Sequence, residues 1–273
     1  MARGHERGGY SDDVENSRRL VELLAPARKV LVLTGAGIST GSGIPDFRGP
    51  QGIWKRRQPV YFQEFLASEA KRTEYWDYKA EGWEAFRDAR PNEAHRALVK
   101  LDKLGRLAAI ATQNIDGLHQ AAGSDPSRVI ELHGSNRAIV CLAKSCGKRS
   151  DPDEAVQTFR ATGKPPRCAC GGLLKFATVS FGQALDPDVL AAAGKAAQGA
   201  DLVLALGSTL SVHPAAAIPL LPVERGVPYV IINQGQTDHD QIATLKIDAD
   251  VVSALPPAVD ALGGSDERSE EER

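Results

Sequence analysis

Cysteine is scarce in this sequence, which has only four, all between residues 141 and 170. That distribution excludes the small disulfide-stapled domains of secreted proteins, whose cysteines are dense throughout the chain. Charge imbalance is also absent, because 33 basic and 35 acidic residues give a net charge of −2. Such a balance argues against general binding of nucleic acid. No apolar run approaches the roughly 18 residues of a membrane-spanning helix, so we expect no membrane partner either.

The two ends of the chain are polar. Residues 1–13 lack the apolar segment of a signal peptide and include acids that transit peptides avoid, so we expect the protein to stay in the cytoplasm. Residues 263–273 hold five acidic residues and two arginines. Because such segments bury little apolar surface, we predict that residues 1–15 and 263–273 are disordered.

Strand-like and helix-like segments alternate through the rest of the chain. The strand-like segments are apolar and lie at 29–34, 107–111, 129–132, 178–181, 201–206 and 228–232. Helical patterns cover 91–103 and 187–198. This alternation predicts an α/β fold, a Rossmann-like doubly wound parallel sheet with helices on both faces. We assign to it residues 16–49, 91–137 and 175–262, and expect a ligand crevice beyond the carboxyl ends of its strands.

Residues 50–90 interrupt this pattern with a segment rich in aromatic side chains. The segment holds nine of the fifteen aromatic residues of the chain, which are Trp54, Tyr61, Phe62, Phe65, Tyr75, Trp76, Tyr78, Trp83 and Phe86. Such a cluster predicts a small helical module with an aromatic core of its own. The alternative is that some of these rings wall a substrate channel, and both interpretations can hold for different residues.

Residues 138–174 form a second interruption and contain all four cysteines. The pairs are Cys141-x4-Cys146 and the tighter Cys168-Ala169-Cys170, which is followed by two glycines suited to a sharp turn. Four cysteines gathered in one short segment of an intracellular chain predict a zinc site rather than disulfides. We expect a structural role for the zinc, because four thiolates leave no open coordination position for a substrate or water. The tight spacing of the second pair leaves open whether all four bind the metal.

Residues 35–49 (GAGISTGSGIPDFRG) follow the first predicted strand directly. Glycines in that position let backbone N–H groups approach a pyrophosphate, as in many nucleotide-binding α/β units. A dehydrogenase would continue into a helix and place an acidic residue about twenty positions further on. Here Gly41, Gly43 and Pro45 break any helix, and Asp-Phe-Arg follows at 46–48. The segment therefore predicts a nucleotide site that is not built for ordinary hydride transfer.

Polar residues also follow other predicted strands. These are residues 112–116 (TQNID), His133-Gly134, Gly207-Ser208-Thr209 and Asn233. Taken singly, the Asn and Asp of the first segment could be helix caps, and an isolated histidine is more often structural. Their recurrence at successive strand ends predicts that they share one site with the glycine-rich loop.

In order and spacing, these motifs resemble those of the sirtuins, a family of NAD-dependent protein-lysine deacylases. The resemblance covers about residues 20–262 and rests on residues 35–39, 43–48 and 112–116, His133-Gly134, the cysteine pairs, Phe181-Gly182, Gly207-Ser208 and Asn233. It implies an NAD co-substrate, a structural Zn²⁺, and acylated-lysine proteins as substrates.

The resemblance also implies a role for each site residue. His133 is the general base toward a ribose hydroxyl, and a histidine pKa near about 6.5 suits that task. Asn114 positions a water or the ribose, and Asp116 holds the nicotinamide carboxamide. The implied NAD-binding residues are Gly35, Ala36, Gly37, Ser39, Asp46, Phe47, Arg48, Gln113, Asn114, Ile115, Asp116, Gly207, Ser208, Thr209, Asn233 and Ala249. Val179 and Phe181 are the implied substrate-binding residues, near the substrate lysine.

The implied reaction begins with loss of nicotinamide as the acyl-lysine carbonyl oxygen attacks the anomeric carbon of the ribose. His133 then assists the 2′-hydroxyl, and water releases free lysine and O-acyl-ADP-ribose. The peptide is implied to lie as an extended strand between the two domains, a form of β-augmentation.

Two departures from the family pattern bear on the acyl group. Residues 180–183 are Ser-Phe-Gly-Gln where many sirtuins have Phe-Phe-Gly-Glu, so the cleft has one negative charge fewer. Sirtuins that remove succinyl or malonyl groups use a Tyr-x-x-Arg pair, whereas residues 75–78 here are Tyr-Trp-Asp-Tyr. The aromatic segment is more similar to the class associated with lipoamide removal and mono-ADP-ribosylation. We therefore expect uncharged acyl groups, acetyl or longer, including lipoyl.

Other functions remain open from the sequence. A protein mono-ADP-ribosyltransferase would use the same site and pass the ribose to an Arg or Cys side chain. A non-catalytic NAD-binding module would leave the presence of both His133 and Asn114 unexplained. The preferred acyl chain, the protein target and the oligomeric state are not determined by these motifs.

Overall fold

Six parallel strands form the main sheet of the protein. The computed structural model describes residues 6–46 and 57–271, with side chains for residues 14–46 and 57–263. Within these residues the strands are β1 (Val30–Thr34), β2 (Leu107–Thr112), β3 (Val129–Glu131), β4 (Gly134–Cys141), β5 (Arg149–Ser150), β6 (Leu174–Thr178), β7 (Leu202–Leu206), β8 (Tyr229–Ile232) and β9 (Leu245–Ile247). The main sheet has the order β3-β2-β1-β7-β8-β9. Its chain order reverses between β1 and β7, the kind of position where such sheets bind ligands. The predicted doubly wound α/β fold is confirmed.

Helices cover both faces of this sheet. In the described residues they are α1 (Glu6–Leu24), α2 (Phe62–Ala67), α3 (Glu69–Glu81), α4 (Trp83–Asp88), α5 (Glu93–Lys103), α6 (Leu118–Ala122), α7 (Pro152–Thr162), α8 (Pro187–Gln198), α9 (Leu220–Val223) and α10 (Val251–Glu271). None of these described helices is long and apolar enough to cross a membrane. Val30 and Val32 of β1 pack in a cluster with α1, α5 and α10, whereas Leu31 and Leu33 pack on the opposite face with α8. Burial on both faces explains why the strand is apolar throughout.

The predicted helices at 91–103 and 187–198 correspond to α5 and α8. Each begins at a side-chain cap: Asn92 accepts from the backbone N–H of Ala94, and Asp186 accepts from that of Asp188. Such caps satisfy N–H groups that have no partner inside the helix. These capping residues therefore indicate in the sequence where the two helices begin.

The strand predicted at 178–181 differs from the observed strand both in its residues and in the sheet to which it belongs. Strand β6 occupies residues 174–178 and runs antiparallel to β4, in a second sheet of order β5-β4-β6. Lys175 obscured the strand, because a lysine in an apolar run suggests an exposed position. Its side chain is instead buried, and Nζ donates to the backbone carbonyls of Phe176 and Thr178. Strand β9, only three residues long and also containing a lysine, was not predicted.

The two inserted segments share one core rather than having separate cores. Trp76 of α3 lies 5.5 Å from Phe176 of β6 and 6.2 Å from Phe159 of α7, measured between ring centroids. Trp83 lies 5.6 Å from Phe176. The expectation that the aromatic segment has a core of its own was therefore wrong, because the same cluster includes Ile139, Ala155, Val156 and Phe159 of the cysteine-containing segment. Trp54 lies outside the described residues.

The structure differs from the prediction at both ends of the chain. Helix α1 begins at Glu6 and α10 continues to Glu271, so residues 6–15 and 263–271 are helical where we predicted disorder over residues 1–15 and 263–273. Residues 1–5 and 272–273 lie outside the described residues. Leu20 and Leu24 of α1 and Leu262 of α10 are buried. Packing of those turns stabilises the helices, and each further residue adds a backbone hydrogen bond at little cost.

Candidate active site

A cavity of about 570 Å³ opens where the carboxyl ends of the main strands face the second sheet and the aromatic helices. Most of the predicted site residues line it: Gly35, Ala36, Gly37, Asp46, Gln113, Asn114, Ile115, His133, Val179, Phe181, Gly207, Ser208, Thr209, Asn233 and Ala249. Ser39 and Asp116 are buried behind this wall. Phe47 and Arg48 lie outside the described residues. The structure thus brings residues from distant parts of the chain into one cavity.

The glycine-rich loop is packed backbone against backbone on the turn after β7. The N–H of Gly37 donates to the carbonyl of Gly207 at 2.8 Å, and the N–H of Gly35 donates to that of Leu206 at 2.9 Å. A Cβ built on Gly35 would lie 2.6 Å from the Gly207 oxygen, and one on Gly37 would lie 2.7 Å from the Gly207 Cα. Gly207 itself has φ of 62°, in the left-handed region that favours glycine. All three glycines are required by this close approach.

After β1 the loop forms two short 3₁₀ turns, Ala36–Ile38 and Thr40–Ser42, instead of a continuous helix. The side-chain amide of Asn92 stabilises both turns, because it donates to the carbonyl of Ile38 at 2.8 Å and to Oγ of Ser42 at 3.0 Å. Sequence reasoning missed this role of Asn92. Its helix-capping position was visible in the sequence, but its second contact depends on the tertiary fold.

A chain of hydrogen bonds connects Asn114 to Asp116 through the glycine-rich loop. Asn114 Nδ2 donates to the carbonyl of Gly35 at 3.0 Å and to Oγ of Ser39 at 3.1 Å. Ser39 Oγ in turn donates to a carboxylate oxygen of Asp116 at 2.8 Å. The other carboxylate oxygen accepts from the N–H of Leu118, at the start of α6. Burial raises the pKa of Asp116 above its ordinary value, against the opposing effect of these donors.

His133 follows β3, and its imidazole reaches the neighbouring strand end. Its Nδ1 lies 3.0 Å from the backbone carbonyl oxygen of Gln113, which follows β2. A carbonyl oxygen only accepts, so Nδ1 has the proton and Nε2 is the basic nitrogen of the neutral ring. The side-chain amide of Gln113 donates to Oγ of Ser208 at 2.9 Å, which ties this part of the site to β7.

The far end of the cavity lies beyond β8. Asn233 donates from its side-chain amide to the carbonyls of Gln234 and Gly235, at 2.9 and 3.3 Å, and its own N–H donates to Ile247. Ala249 lines the same region. These contacts fix the turn after β8, at the carboxyl edge of the sheet.

The segment at 179–182 borders the cavity on the side of the second sheet. Val179 donates its N–H to the carbonyl of His133 at 2.8 Å, which joins this segment to the catalytic histidine candidate. The carbonyl of Phe181 accepts from the N–H of Phe62, and that of Gly182 accepts from Nε2 of Gln63. The segment is therefore fixed between His133 and the aromatic helices.

The cavity also contains residues that the sequence did not single out. These include Arg57, Lys79, Asn136, Val212 and His213. Lys79 Nζ donates to Oδ1 of Asn136 at 2.9 Å and lies 5.1 Å from the ring centroid of Phe176. Burial, with a smaller contribution from Lys175, lowers the pKa of Lys79 to about 7. A lysine in a charged helical segment gives no sequence signal of such burial.

Arg57 lies at the outer side of the same region. Its guanidinium pairs with Asp77 at 2.7 Å and with Glu81 at 3.0 Å, and it lies 5.7 Å from the ring centroid of Tyr78. Two acidic partners therefore offset the charge of this arginine.

The four cysteines of the inserted segment 138–174 converge at one point, beside the end of β4. Their sulfur atoms all lie within 4.8 Å of one another, with Cys141–Cys170 at 3.6 Å and Cys146–Cys168 at 3.8 Å. Zinc with ligands at about 2.3 Å in a tetrahedron places sulfurs about 3.8 Å apart. The cluster therefore fits Zn²⁺ with four thiolate ligands, the tight second pair included. A Cβ on Gly172 would lie 2.5 Å from the sulfur of Cys141, which explains the glycine there.

Comparison with known proteins identifies the family of this chain. The model of the Sir2 family matches residues 35–214. A Rhodopseudomonas palustris protein named NAD-dependent protein deacetylase is 46% identical over 242 residues, covering 88% of this chain and 95% of its own length. A protein of the same name from Haloarcula marismortui is 40% identical over 262 residues, covering 94% of this chain and 99% of its own.

Solved structures of similar proteins superpose over most of the chain. A Sir2 protein with a deacetylated p53 peptide and 3′-O-acetyl ADP ribose has a TM-score of 0.83 and 40% identity, covering 91% of this chain and 99% of its own. A Sir2 complex with a p53 peptide and NAD⁺ has a TM-score of 0.81 and 38% identity, covering 91% and 98%. The resemblance drawn from the motifs is confirmed, and the chain belongs to the Sir2 family.

Proposed function

We propose that the protein is an NAD-dependent protein-lysine deacylase that removes uncharged acyl groups, acetyl first. The observation that carries this proposal is that His133 lies in one cavity with the glycine-rich loop, with its Nδ1–H donating to the backbone carbonyl of Gln113. A base and a phosphate-binding loop in the same cavity suit proton transfer from a hydroxyl of a bound dinucleotide to the base. Curated relatives named as deacetylases support the same reaction.

The residues present fit NAD. A Cβ on Gly35, Gly37 or Gly207 would meet protein backbone, so these glycines fix the loop against the turn after β7. The loop residues Gly35, Ala36 and Gly37 line the cavity, where main chain without bulky side chains suits bound phosphates. We assign the phosphates to this loop, the adenosine end to Ser208, Asn233 and their neighbours, and the nicotinamide end to the region near Asp46. Bound there, NAD supplies an anomeric carbon with nicotinamide as its leaving group.

His133 is the general base in this proposal. The Gln113 carbonyl fixes the ring tautomer and its orientation, so Nε2 is the atom that accepts a proton from the ribose hydroxyl. A positioned histidine of this kind contributes about 10²–10⁴-fold to a rate.

A line of hydrogen-bonded side chains lies at the inner side of the site and comprises Asn114, Ser39 and Asp116. Because their hydrogen bonds run in one direction, from amide to hydroxyl to carboxylate, the Asn114 side chain has a defined orientation. We assign to Asn114 the positioning of the ribose or a water. Contact of Asp116 with the nicotinamide carboxamide stays a prediction, and both carboxylate oxygens retain capacity to accept a further donor.

The acylated peptide is proposed to enter as an extended strand. Segment 179–182 lines the cavity on one side, while Val212 and His213 line it from the main domain. An extended peptide between two such segments would pair through its main chain, with Val179 and Phe181 near the acyl-lysine. Deacylation would then depend little on the sequence around the lysine.

The acyl end of the cavity supports an uncharged group. Arg57 is already paired with Asp77 and Glu81, and burial lowers the pKa of Lys79 to about 7. Neither residue therefore offers a strong, unoccupied positive charge to an acyl carboxylate at neutral pH. The aromatic walls provided by Tyr78, Trp83 and Phe86 suit acetyl and longer apolar chains.

The experiment is nicotinamide release from NAD with acetyl-, lipoyl-, myristoyl- and succinyl-lysine peptides, followed by mass spectrometry of every product. O-acyl-ADP-ribose with an acetyl or other uncharged peptide is the expected result. A succinyl rate equal to or above the acetyl and lipoyl rates would overturn the acyl preference. ADP-ribose retained on protein, with no deacylated peptide, would favour the mono-ADP-ribosyltransferase alternative. Nicotinamide release from none of the peptides, despite NAD binding, would favour the non-catalytic module.

A further inference from the structure

Two buried histidines lie behind the site, between α5 and α6. His95 has no exposed surface and His119 is 1% exposed, and their ring centroids are 5.0 Å apart. Neither ring lines the cavity, and the deacylation reaction proposed above assigns them no part. Each ring nevertheless makes a hydrogen bond on its outer side, toward a different wall of the site.

On one side, His95 contacts Asn92. The Asn92 side-chain oxygen caps α5, and its Nδ2 donates to the glycine-rich loop, so its amide orientation is fixed. His95 Nδ1 lies 3.0 Å from that oxygen and 3.4 Å from the backbone nitrogen of Asn92. Because a carbonyl oxygen only accepts and its contact is the shorter one, the proton of the neutral His95 ring is on Nδ1, and its Nε2 is an acceptor.

On the other side, His119 joins a line of hydroxyls that leads to Asn114. His119 Nε2 lies 3.0 Å from Oγ1 of Thr34, which lies 2.8 Å from Oγ1 of Thr112. The N–H of Asn114 donates to the same Thr112 oxygen at 3.0 Å. Thr34 Oγ1 donates to Thr112 Oγ1, so its one proton is used there and His119 Nε2 donates to Thr34. The proton of the neutral His119 ring is therefore on Nε2, and Nδ1 is an acceptor.

Two ring atoms remain, His95 Nε2 and His119 Nδ1. Both are fully buried and neither has a hydrogen-bond partner among the described residues. The assignments above make both atoms acceptors on adjacent rings, so one water that donates to both would satisfy them. Buried polar groups are almost always paired, directly or through an ordered water.

We propose that His95 and His119 are positioning residues joined to each other through one buried water, in a relay that fixes the NAD-binding face of the site. The relay runs from the glycine-rich loop through Asn92, His95, His119, Thr34 and Thr112 to the backbone of Asn114. Its two ends hold the phosphate-binding loop and the ribose-facing residue. The predicted effects on NAD binding and on peptide KM rest on the proposed function, whereas the histidine tautomers and the relay do not.

The relay has a defined proton arrangement, and nitrogen NMR of histidine-labelled protein near pH 7 reports it directly. We expect both rings to be neutral, with the proton on Nδ1 of His95 and on Nε2 of His119. The opposite tautomer of either ring, or a doubly protonated ring, would overturn the proposal. This measurement uses the wild-type protein without NAD, so it stands whether or not the protein is a deacylase.

Variants test the positioning role. We expect His119→Leu, which fills the space without hydrogen bonds, to weaken NAD binding by about fivefold or more, the loss expected for one hydrogen bond. His119→Gln keeps polar atoms and should recover most of that loss. The KM for acetylated peptide should change little in either variant. His239→Gln is the matched control, since His239 is also buried and bonded to a hydroxyl, that of Tyr229.

Equal NAD affinity in the two His119 variants, with both folded, would contradict the positioning role. If wild-type protein binds no NAD, the proposed function fails, while the NMR result still decides whether the relay exists.

Discussion

Nδ1 of His133 lies 3.0 Å from the backbone carbonyl oxygen of Gln113. The two residues are twenty positions apart in the chain, but each follows one of two adjacent parallel strands, in which Thr112 pairs with Glu131. Parallel pairing brings the carboxyl ends of β2 and β3 to the same edge of the sheet, and this geometry orients the imidazole. The assignment of His133 as the base rests on that contact.

We expect His133→Ala to lower kcat by at least about 100-fold while NAD binding persists, because the base acts after NAD is bound. Nicotinamide release measures turnover, and calorimetric titration measures NAD binding. A variant that keeps more than about a tenth of the wild-type rate would remove His133 from the role of general base.

Gly37→Ala should destabilise the protein by about 1–3 kcal/mol and weaken NAD binding, because its Cβ would lie 2.7 Å from the Gly207 backbone. Gly194→Ala is the matched control. Gly194 lies inside α8, and no atom from another part of the protein lies within 4 Å of where its Cβ would be, so alanine there should stabilise by about 0.5–1 kcal/mol. Urea unfolding measures both changes, and equal stabilities of the two variants would contradict the account of the loop.

Cys168→Ser should impair folding rather than chemistry, because metal-binding free energy in a closed four-thiolate site is folding free energy. We expect the purified wild-type protein to contain one zinc per chain and to lose melting temperature when a chelator removes it. Elemental analysis and thermal unfolding check both points. A soluble, zinc-free and fully active Cys168→Ser protein would show that the metal is dispensable.

Asp77→Asn should raise the rate on succinyl peptide relative to acetyl peptide. The change removes one of the two carboxylates that offset the charge of Arg57, and leaves Glu81. A net gain of about 1.5-fold to fivefold in the ratio is expected for one charge pair near a surface. Glu84→Gln, which removes a partner of Arg160 instead, is the control. An unchanged ratio would show that Arg57 does not face the acyl group.

Acid should destabilise the protein through the buried histidine pair. Burial lowers the pKa of His95 to about 4, with a smaller contribution from Arg96, and that of His119 to about 3, with a smaller contribution from His95. The unfolded chain binds these protons at a pKa of about 6.5, so it takes up more protons than the folded protein as pH falls below that value. Stability is therefore full above about pH 6.5 and falls toward pH 3–4, by up to about 1.4 kcal/mol per pH unit for each histidine.

Urea unfolding between pH 7 and pH 4 measures this dependence, and His119→Gln should make it shallower. Identical slopes for the variant and the wild-type protein would mean that His119 is not buried in the neutral form.

Much of the fold and of the site could be predicted from the sequence, because both depend on local patterns. Buried parallel strands are apolar throughout, and their polar turns mark the ligand edge, so the positions of Gln113, His133 and Ser208 followed from the pattern. Lys79 and Lys175 could not be predicted in this way. Their burial depends on aromatic rings contributed by distant segments, and a lysine ordinarily indicates an exposed position. The shared core of the two inserted segments was missed for the same reason, since Trp76 and Phe159 meet only through tertiary packing.

The central claim is transfer of the acyl group to the ribose, and an acetyl-lysine peptide with oxygen-18 in its acetyl carbonyl tests it most directly. Mass spectrometry after incubation with NAD should find the label in O-acetyl-ADP-ribose, together with equal amounts of nicotinamide and free lysine peptide. Labelled free acetate as the primary product, or ADP-ribose attached to protein with the acetyl-lysine intact, would contradict the account.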